Sequence, residues 1–199
     1  NNVHYVYVRL KIGSLGNGVP GYPYMRYFDE ANEDTNLALS EAIEDVTGLG
    51  IMENYEDGTF HETDSITRAE MAAIVGKMTG VSKLIADGKR NEESGFTDVE
   101  KGAEYTGWIN AINASGMLVG FNESDKFRPN DTVTLNETLT FMINALGRGG
   151  YVDKMGTWPD NYISEAARLN LLKDVKDTTN EVNRGNIAII VHNTLDTKA

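Results

Sequence analysis

The sequence predicts a mainly α-helical protein in which three helix–loop–helix repeats share one core, with a short β-strand extension at the N-terminus. Two observations predict the repeats: one pattern recurs at a shift of 67 residues, from Phe60 to Phe127, and a degenerate third copy ends near the C-terminus. Strict alternation of apolar and polar residues near Asn1 predicts the strand. One such helical unit buries too little apolar surface to be stable alone, so three must pack together.

The second half of each repeat is predicted to be a loop followed by a capped helix. A phenylalanine, a β-branched residue, a threonine and a glutamate recur with one spacing, and apolar helix positions and a terminal glycine follow them. Positions three and four apart share one helix face, so the apolar set predicts a buried stripe. The recurring pairs are Phe60/Phe127, Ile66/Val133, Thr67/Thr134, Glu70/Glu137, Met71/Thr138, Ile74/Phe141, Val75/Met142, Met78/Ala145 and Gly80/Gly147.

The first half of each repeat is predicted to be another helix with one apolar face. Its face residues are Ala42, Val46 and Leu49 in the first copy, Trp108, Ile112 and Ser115 in the second, and Tyr162, Ala166 and Leu169 in the third. In the third copy Val182, Asn183 and Arg184 replace Ile66, Thr67 and Arg68, and the stripe continues with Ile187, Ile190 and Val191. The repeat unit is therefore helix, apolar dipeptide, polar loop and capped helix.

Residues 1–27 do not follow the repeat. The segment "NNVHYVYVRLKIGS" alternates like a half-buried strand, and "LGNGVPGYPYM" is predicted to be a linker because it is rich in Gly and Pro. A lone strand has no partner in a helical bundle, so two alternatives stay open. It is the tail of an upstream domain, or it adds to a sheet edge of an identical subunit.

Composition narrows the function. The chain has 199 residues and a net charge of −12, with 18 Lys and Arg against 30 Asp and Glu, so neither nucleic acid nor an anionic membrane is an expected partner. With no cysteine, the chain has no disulfide, thiolate metal site or cysteine nucleophile. No apolar run is long enough to cross a bilayer, and the start at Asn1 suggests a processed or excised fragment.

Arg68 is the one residue of the capped helix whose position the helix does not explain. Thr67 and Glu70 have the spacing of a capping box, in which each side chain accepts from a free backbone amide. A cation beside the positive end of a helix dipole costs about 0.3–1 kcal/mol. Arg68 therefore either pairs with a loop carboxylate such as Asp57 or Asp64, or binds an external anion together with exposed first-turn amides.

Taken together, these motifs resemble the S-layer homology domain, a repeat of bacterial cell-surface proteins. The usual pattern has an F-x-D-V opening, a W-x-x-x-A-I helix, a G-I/M-x-x-G-Y/F turn, a D-G-T-F loop and I-T-R-A-E. The matching residues are Phe96–Val99, Trp108, Ala111–Ile112, Gly116–Met117, Gly120–Phe121, Phe127–Pro129, Val133–Thr134, Tyr55, Asp57–Phe60 and Ile66–Glu70.

The resemblance implies a pseudo-threefold, three-pronged bundle that holds a protein non-covalently to secondary cell-wall polysaccharide, often through its pyruvylated terminal sugar. It implies an extracellular location on the bacterial surface. We expect repeats at residues 28–90, 91–150 and 151–199, with the third degenerate. The grooves between neighbouring repeats are the implied binding sites.

The implied ligand-binding residues are the arginine of T-R-A-E and the aspartate of F-x-D-V, which are Arg68 and Asp98 here, with weaker counterparts at Arg184, Asp29 and Asp160. Gly58 and Gly120 are expected to allow close backbone approach. Among the aromatic residues, Trp108 and Tyr162 fall in core register, whereas Trp158 lies outside a clear helix and is the open candidate for stacking on a sugar. Two departures from the pattern leave at most one or two complete grooves: Leu135 replaces the second arginine, and Asn186 replaces the third glutamate.

The sequence gives little support for catalysis. His4, His61 and His192 lie in unlike contexts, and no H-E-x-x-H or G-x-S-x-G motif occurs. The Asp57-Gly58-Thr59 tripeptide lacks the ligand spacing of a calcium loop. We expect no enzyme activity, metal or cofactor.

Two functions follow. The first is a cell-wall anchor that binds an anionic polysaccharide. The alternative is a self-assembling subunit of a surface layer or filament, whose repeats contact protein and whose N-terminal strand docks on a neighbour.

Overall fold

The computed structural model describes residues 30–118, 125–176 and 179–197, with side chains from Leu37 onward. Eight α-helices run through these segments, and the only extended pairing within them consists of two isolated bridges, Thr67–Thr132 and Thr134–Glu181. The mainly α-helical prediction is confirmed. The predicted strand and linker over 1–27 lie outside the described residues. The helices are α1 (Glu30–Gly48), α2 (Arg68–Met78), α3 (Lys83–Lys89), α4 (Thr106–Ala114), α5 (Leu135–Ala145), α6 (Gly149–Val152), α7 (Asp160–Arg168) and α8 (Arg184–Leu195).

The longer helices can be grouped into three consecutive pairs, α1/α2, α4/α5 and α7/α8. Helices α2 and α5 both have 11 residues and begin 67 positions apart, at Arg68 and Leu135. Helices α4 and α7 both have 9 residues and begin 54 positions apart, at Thr106 and Asp160. The short helices α3 and α6, which the sequence pattern did not predict, connect consecutive pairs.

Both predicted capping boxes are present. The Thr67 amide donates to Glu70 Oε2 at 2.6 Å, and the Thr134 amide donates to Glu137 Oε2 at 3.0 Å. At α8 the Asn183 side chain accepts from the Asn186 amide instead, so this helix keeps its N-cap without the glutamate. Gly80 and Gly147 follow the C-caps of α2 and α5 with positive φ values of 88° and 71°, as glycine at a helix end allows.

The helix pairs contact one another in a closed order. The capped helix α2 packs against α4 of the next pair, α5 packs against α7, and α8 returns to pack against α1. All three pairs contribute to one core. Its members include Val46, Met71, Val75, Ile112, Phe141, Met142, Tyr162, Ala166, Ile187, Ile190 and Val191. Leu49 does not join them: it follows the end of α1 and is 64% exposed.

Backbone hydrogen bonds follow the same order. The first amide of each capped helix donates to a loop carbonyl of the next pair: Arg68 to Asp131 at 2.9 Å, Leu135 to Asn180 at 3.1 Å, and Arg184 to Asp64 at 2.8 Å. First-turn amides of a helix have no partner within the helix. Here a loop of the neighbouring helix pair supplies that partner, so a backbone hydrogen bond joins each helix pair to the next.

Candidate functional site

An open groove of about 820 Å³ lies between α2 and α4. One wall is the outer face of α2 with the turn that follows it, and the other is the start of α4. The loop that precedes α5 closes one end through Asn130. The lining includes Glu53, Glu70, Ala73, Lys77, Lys83, Asp87, Glu104, Tyr105, Trp108 and Asn130.

Two aromatic side chains form the α4 wall. Trp108 and Tyr105 are half-buried, so each shows part of a ring to the groove. Trp108 lies against the backbone of α2, since a Cβ on Gly76 would meet its indole at 2.7 Å. Trp108 is therefore less buried than its helix register predicted, whereas Tyr162 is 1% exposed, in agreement with its register.

Two lysines line the groove, Lys77 on α2 and Lys83 at the start of α3, and each lies beside a carboxylate. Lys77 Nζ is 2.7 Å from Glu53 Oε1, and the hydrogen bond with Lys77 lowers the pKa of Glu53. Lys83 Nζ is 3.0 Å from Asp87 Oδ2. The groove thus contains two ammonium groups, each paired with a carboxylate, together with an excess of carboxylates.

Arg68 lies beneath the groove and is 2% exposed. Its Nε donates to the carbonyl of Phe127 at 2.7 Å, its Nη1 is 2.5 Å from Glu137 Oε1, and its guanidinium lies 5.0 Å from the centre of the Phe127 ring. Burial lowers the pKa of Arg68, and the negative charge of Glu137 acts in the opposite direction. The expected carboxylate partner exists, but it is Glu137 of the next helix pair and not Asp57 or Asp64.

The first-turn amides of α2 are not exposed donors, which corrects a second expectation. The Arg68 amide donates to Asp131, and the Ala69 amide donates to the Pro129 carbonyl at 3.0 Å. An anion at this helix end would have to displace the neighbouring loop.

Asp98 holds the same loop from the other side. Its Oδ1 accepts from the Phe127 amide and its Oδ2 accepts from the Arg128 amide, both at 2.8 Å. Arg128 has a φ of 58°, a left-handed conformation that a non-glycine residue adopts only when its surroundings hold it there. Both carboxylate oxygens of Asp98 therefore bind backbone.

Glu137 is a central residue that the sequence reasoning assigned only to capping. Besides the Thr134 amide, its carboxylate contacts Arg68 and accepts from Arg128 Nη2 at 2.7 Å. The side chain is 10% exposed. Nothing in the local pattern shows that a capping glutamate also pairs with an arginine from another repeat.

Arg184 repeats the arrangement of Arg68 at the junction of α8 with the first helix pair. Its Nε donates to the Phe60 carbonyl at 2.9 Å and its Nη2 to the Glu53 carbonyl at 2.8 Å. Its guanidinium lies 4.7 Å from the ring centres of both Tyr55 and Phe60. Arg184 is 8% exposed and, like Arg68, fixes a loop.

Gly58 and Trp158, two further predicted site residues, do not line the groove between α2 and α4. Gly58 is exposed with a φ of 81°, so its turn conformation accounts for the glycine, and its close approach to a ligand stays a prediction. Trp158 is 52% exposed, and it lies against α5 and away from the α2–α4 groove. Asp29 and Gly120 lie outside the described residues.

The two described histidines contact carboxylates. His61 Nε2 is 2.8 Å from Asp57 Oδ2 and its Nδ1 is 3.1 Å from Asp64 Oδ2. His192 Nδ1 is 2.8 Å from Asp45 Oδ2. Within residues 30–118, 125–176 and 179–197, no group of three potential ligands could hold a metal ion, and no helix is long and apolar enough to cross a membrane.

Comparison with known proteins agrees with this architecture. The S-layer homology domain matches residues 35–72 and 95–138. Similar proteins include the Middle cell wall protein of Brevibacillus brevis, 28% identical over 79% of this chain and 14% of that protein. They also include the Cell surface protein of Thermoanaerobacter kivui, 29% identical over 88% of this chain and 22% of that protein. The Cellulosome-anchoring protein of Acetivibrio thermocellus is 31% identical over 61% of this chain and 27% of that protein.

The chain therefore spans between 14% and 27% of the length of these three relatives. The first matched segment covers most of α1, the following loop and the start of α2, and the second covers the corresponding elements up to the start of α5. The third copy, over 151–199, stays a prediction. Over residues 35–72 and 95–138 this chain is similar to the S-layer homology domain.

Proposed function

We propose that this chain is a non-covalent anchoring module that binds an anionic, pyruvylated secondary cell-wall polysaccharide in the groove between α2 and α4. The observation that carries the proposal is the groove itself: about 820 Å³, open to solvent, with two half-buried aromatic rings opposite two lysines. The family match and the surface-protein relatives indicate the cell surface as the location.

The chemistry of the walls suits a charged sugar. A pyranose has an apolar face that packs on an aromatic ring, and Trp108 and Tyr105 offer such rings. A ketal-linked pyruvate carries a carboxylate, for which Lys77 and Lys83 supply ammonium donors. Because Glu53 and Asp87 already neutralise these lysines, recognition would depend on where the charges lie and not on a net positive groove.

Arg68 and Asp98 act in this proposal by positioning a loop. They fix Phe127 and Arg128, and the same loop places Asn130 at the end of the groove. Arg184 does the same for the loop at Phe60. Loss of any of these residues would change the groove through the loop.

We extend the proposal to the whole arrangement. The repeats 28–90, 91–150 and 151–199 would surround a pseudo-threefold axis as a three-pronged bundle. The closed order of helix contacts and of first-turn hydrogen bonds supports this symmetry. The module would act by binding and not by catalysis.

The test is sedimentation with purified bacterial sacculi. Lys77→Gln with Lys83→Gln should weaken retention at least tenfold, whereas Lys154→Gln, which removes an exposed lysine outside the groove, should leave retention unchanged. Sacculi treated with mild acid to release ketal-linked pyruvate should retain the wild-type chain as weakly as the double variant. Full retention of the double variant would refute the assigned groove.

A second function has one observation in its favour. Leu49, Leu84 and Ile85 are 64%, 82% and 49% exposed, and such apolar side chains suit contacts between subunits of a surface layer. Leu84→Ser with Ile85→Ser should then lower the sedimentation coefficient of concentrated protein without changing wall retention. A wild-type chain that sediments as a monomer at high concentration would count against assembly through these residues.

A further inference from the structure

The groove between α2 and α4 has a counterpart between α5 and α7. Helix α5 begins 67 positions after α2, and α7 begins 54 positions after α4. In this register Ala73 on α2 corresponds to Thr140 on α5. On the opposite wall, Glu104 corresponds to Trp158 and Trp108 to Tyr162.

The two sets of residues differ in exposure. Ala73 and Trp108 are half-buried and line the open groove. Their counterparts Thr140 and Tyr162 are each 1% exposed. The counterpart positions therefore lie under cover.

Trp158 contacts one of these two residues, Thr140. Its Nε1 donates to Thr140 Oγ1 at 3.0 Å, which joins the segment before α7 to the middle of α5. The Thr140 hydroxyl donates in turn to the Asn136 carbonyl at 2.8 Å, so its oxygen is oriented to accept the indole N–H. Trp158 is 52% exposed, so protein covers about half of this residue.

The junction between α8 and α1 has a small residue at the position that corresponds to Trp158. Ala38 on α1 precedes Glu104 by 66 positions, the shift that relates the repeat-1 helix to α4. It lines an open pocket of about 280 Å³ between α1 and α8. Of the three side chains in this register, only the tryptophan bridges to the neighbouring capped helix.

We propose that Trp158 closes the second inter-repeat groove and so leaves one full-sized glycan cleft among the residues that the structure describes, the one between α2 and α4. This inference rests on the proposed glycan binding for its functional consequence, whereas closure itself can be tested without any glycan. Trp158 determines the number of ligands bound per chain, and its removal exposes a latent site of the same ligand class.

Closure is tested first in the free protein. With 2 tryptophans in the chain, indole ¹⁵N labelling gives two N–H signals, and Trp158→Phe identifies the one to follow. Its hydrogen exchange should be at least tenfold slower than that of free indole, and Thr140→Val should restore fast exchange. Exchange as fast as free indole in the wild type, or no response to Thr140→Val, would overturn closure.

Free indole is a second probe that does not depend on glycan. Trp158→Gly should bind one equivalent of indole in a saturable way, because the vacated space matches the lost side chain, whereas the wild type should not bind it. The half-exposed position makes unfolding of this variant unexpected, and circular dichroism checks it. Failure of a folded Trp158→Gly variant to bind indole would count against a closed groove.

The functional consequence is tested by stoichiometry. Soluble polysaccharide released from sacculi that retain the protein should bind at one equivalent to the wild type and to Trp158→Phe, and at two equivalents to Trp158→Ala. One equivalent for Trp158→Ala would overturn the latent site. If no variant binds polysaccharide, the proposed function fails and the latent glycan site with it, while the exchange and indole experiments still decide closure.

Discussion

Arg68 and Asp98 hold the two sides of one residue, Phe127, although they come from different helix pairs. Arg68 Nε donates to the Phe127 carbonyl at 2.7 Å, and Asp98 Oδ1 accepts from the Phe127 amide at 2.8 Å. The family motifs mark both residues, and the geometry gives them one common task. They fix the loop whose next residues reach Asn130 at the end of the groove.

Asp98→Asn should destabilise the protein. Asparagine replaces one of the two accepting oxygens with an NH₂ donor, which would face the N–H of Phe127 or Arg128 instead of accepting from it. We expect a loss of about 1–3 kcal/mol, since hydrogen bonds to charged groups contribute about that much. Urea denaturation measures the loss. Glu100→Gln, at an exposed carboxylate in the same segment, is the matched control and should leave the midpoint unchanged. Equal midpoints for the two variants would contradict the clamp.

Arg68→Met should cost far more stability than Arg128→Met. Both arginines contact Glu137 Oε1, but the Arg68 side chain is 2% exposed and that of Arg128 is 51% exposed. Breaking a buried ion pair costs about 3–5 kcal/mol, whereas an exposed one contributes about 0–1 kcal/mol. Thermal and urea unfolding of both variants compare them directly. Similar small losses would contradict a structural role for the buried pair.

Local features of this fold follow from the sequence because neighbouring residues determine them. Thr67 and Glu70 predict a capping box, and Met71, Ile74 and Val75 predict a buried face, all within one helix. The recurrence of these features at Phe127–Met142 predicts the second helix pair as well. Short-range spacing therefore predicts the elements and their core faces.

The candidate site could be predicted only in part, because its partners come from distant segments. Arg68 lies 69 positions before Glu137, and a capping glutamate shows no sign in its own helix of a second role. The prediction that Arg68 needs a negative partner was sound, but proximity in sequence favoured Asp57 and Asp64. Asp57 and Asp64 instead form hydrogen bonds with the two ring nitrogens of His61. Lys77 and Lys83 were missed for the same reason, since only the packing of α2 on α4 brings them opposite Trp108.

Raising the pH should destabilise the loop around His61 and Asp64, which accepts a hydrogen bond from the first amide of α8. His61 contacts Asp57 and Asp64 through its two ring nitrogens, which requires both to carry protons, and these hydrogen bonds raise its pKa above 6.5. A raised pKa in the folded state gives stability that is full below the unfolded value and is lost as pH rises through the folded value. The groups that contact the His61 ring are Asp57, Asp64 and Tyr55. The guanidinium of Arg184, on α8, lies over the ring of Tyr55.

At low pH the stability should fall for a second reason, the protonation of Asp57. The hydrogen bond with His61 and those with Thr59 lower the pKa of Asp57 from 3.8 to about 2, so its contribution is lost only as pH falls through that interval. Melting temperatures across both ranges should show these two losses in the wild type. His61→Gln should flatten the alkaline loss, and His192→Gln serves as a comparison at the other histidine. An alkaline loss that persists unchanged in His61→Gln would assign it elsewhere.

Gly107→Ala should disrupt the packing of α3 on α4, and with it the groove. A Cβ at Gly107 would overlap the carbonyl oxygen of Ala86, which is backbone and cannot turn away. We expect a loss of at least about 1–3 kcal/mol, as for other overpacked contacts. Gly88→Ala in α3 is the matched control, because no heavy atom lies within 4 Å of its added Cβ. Alanine in a helix interior is favoured over glycine by about 0.5–1 kcal/mol, so this variant should be neutral or slightly more stable.

The two glycine variants also separate stability from binding. Ser82 and Lys83 at the start of α3 line the groove. A displaced α3 would therefore move Lys83, one of the two lysines of the groove. Wall retention should therefore fall in Gly107→Ala at temperatures where circular dichroism shows it still folded, while Gly88→Ala keeps wild-type retention. Retention by a folded Gly107→Ala variant that equals the wild type would mean that α3 is no part of the binding wall, and would move the proposed contact to α2 and α4 alone.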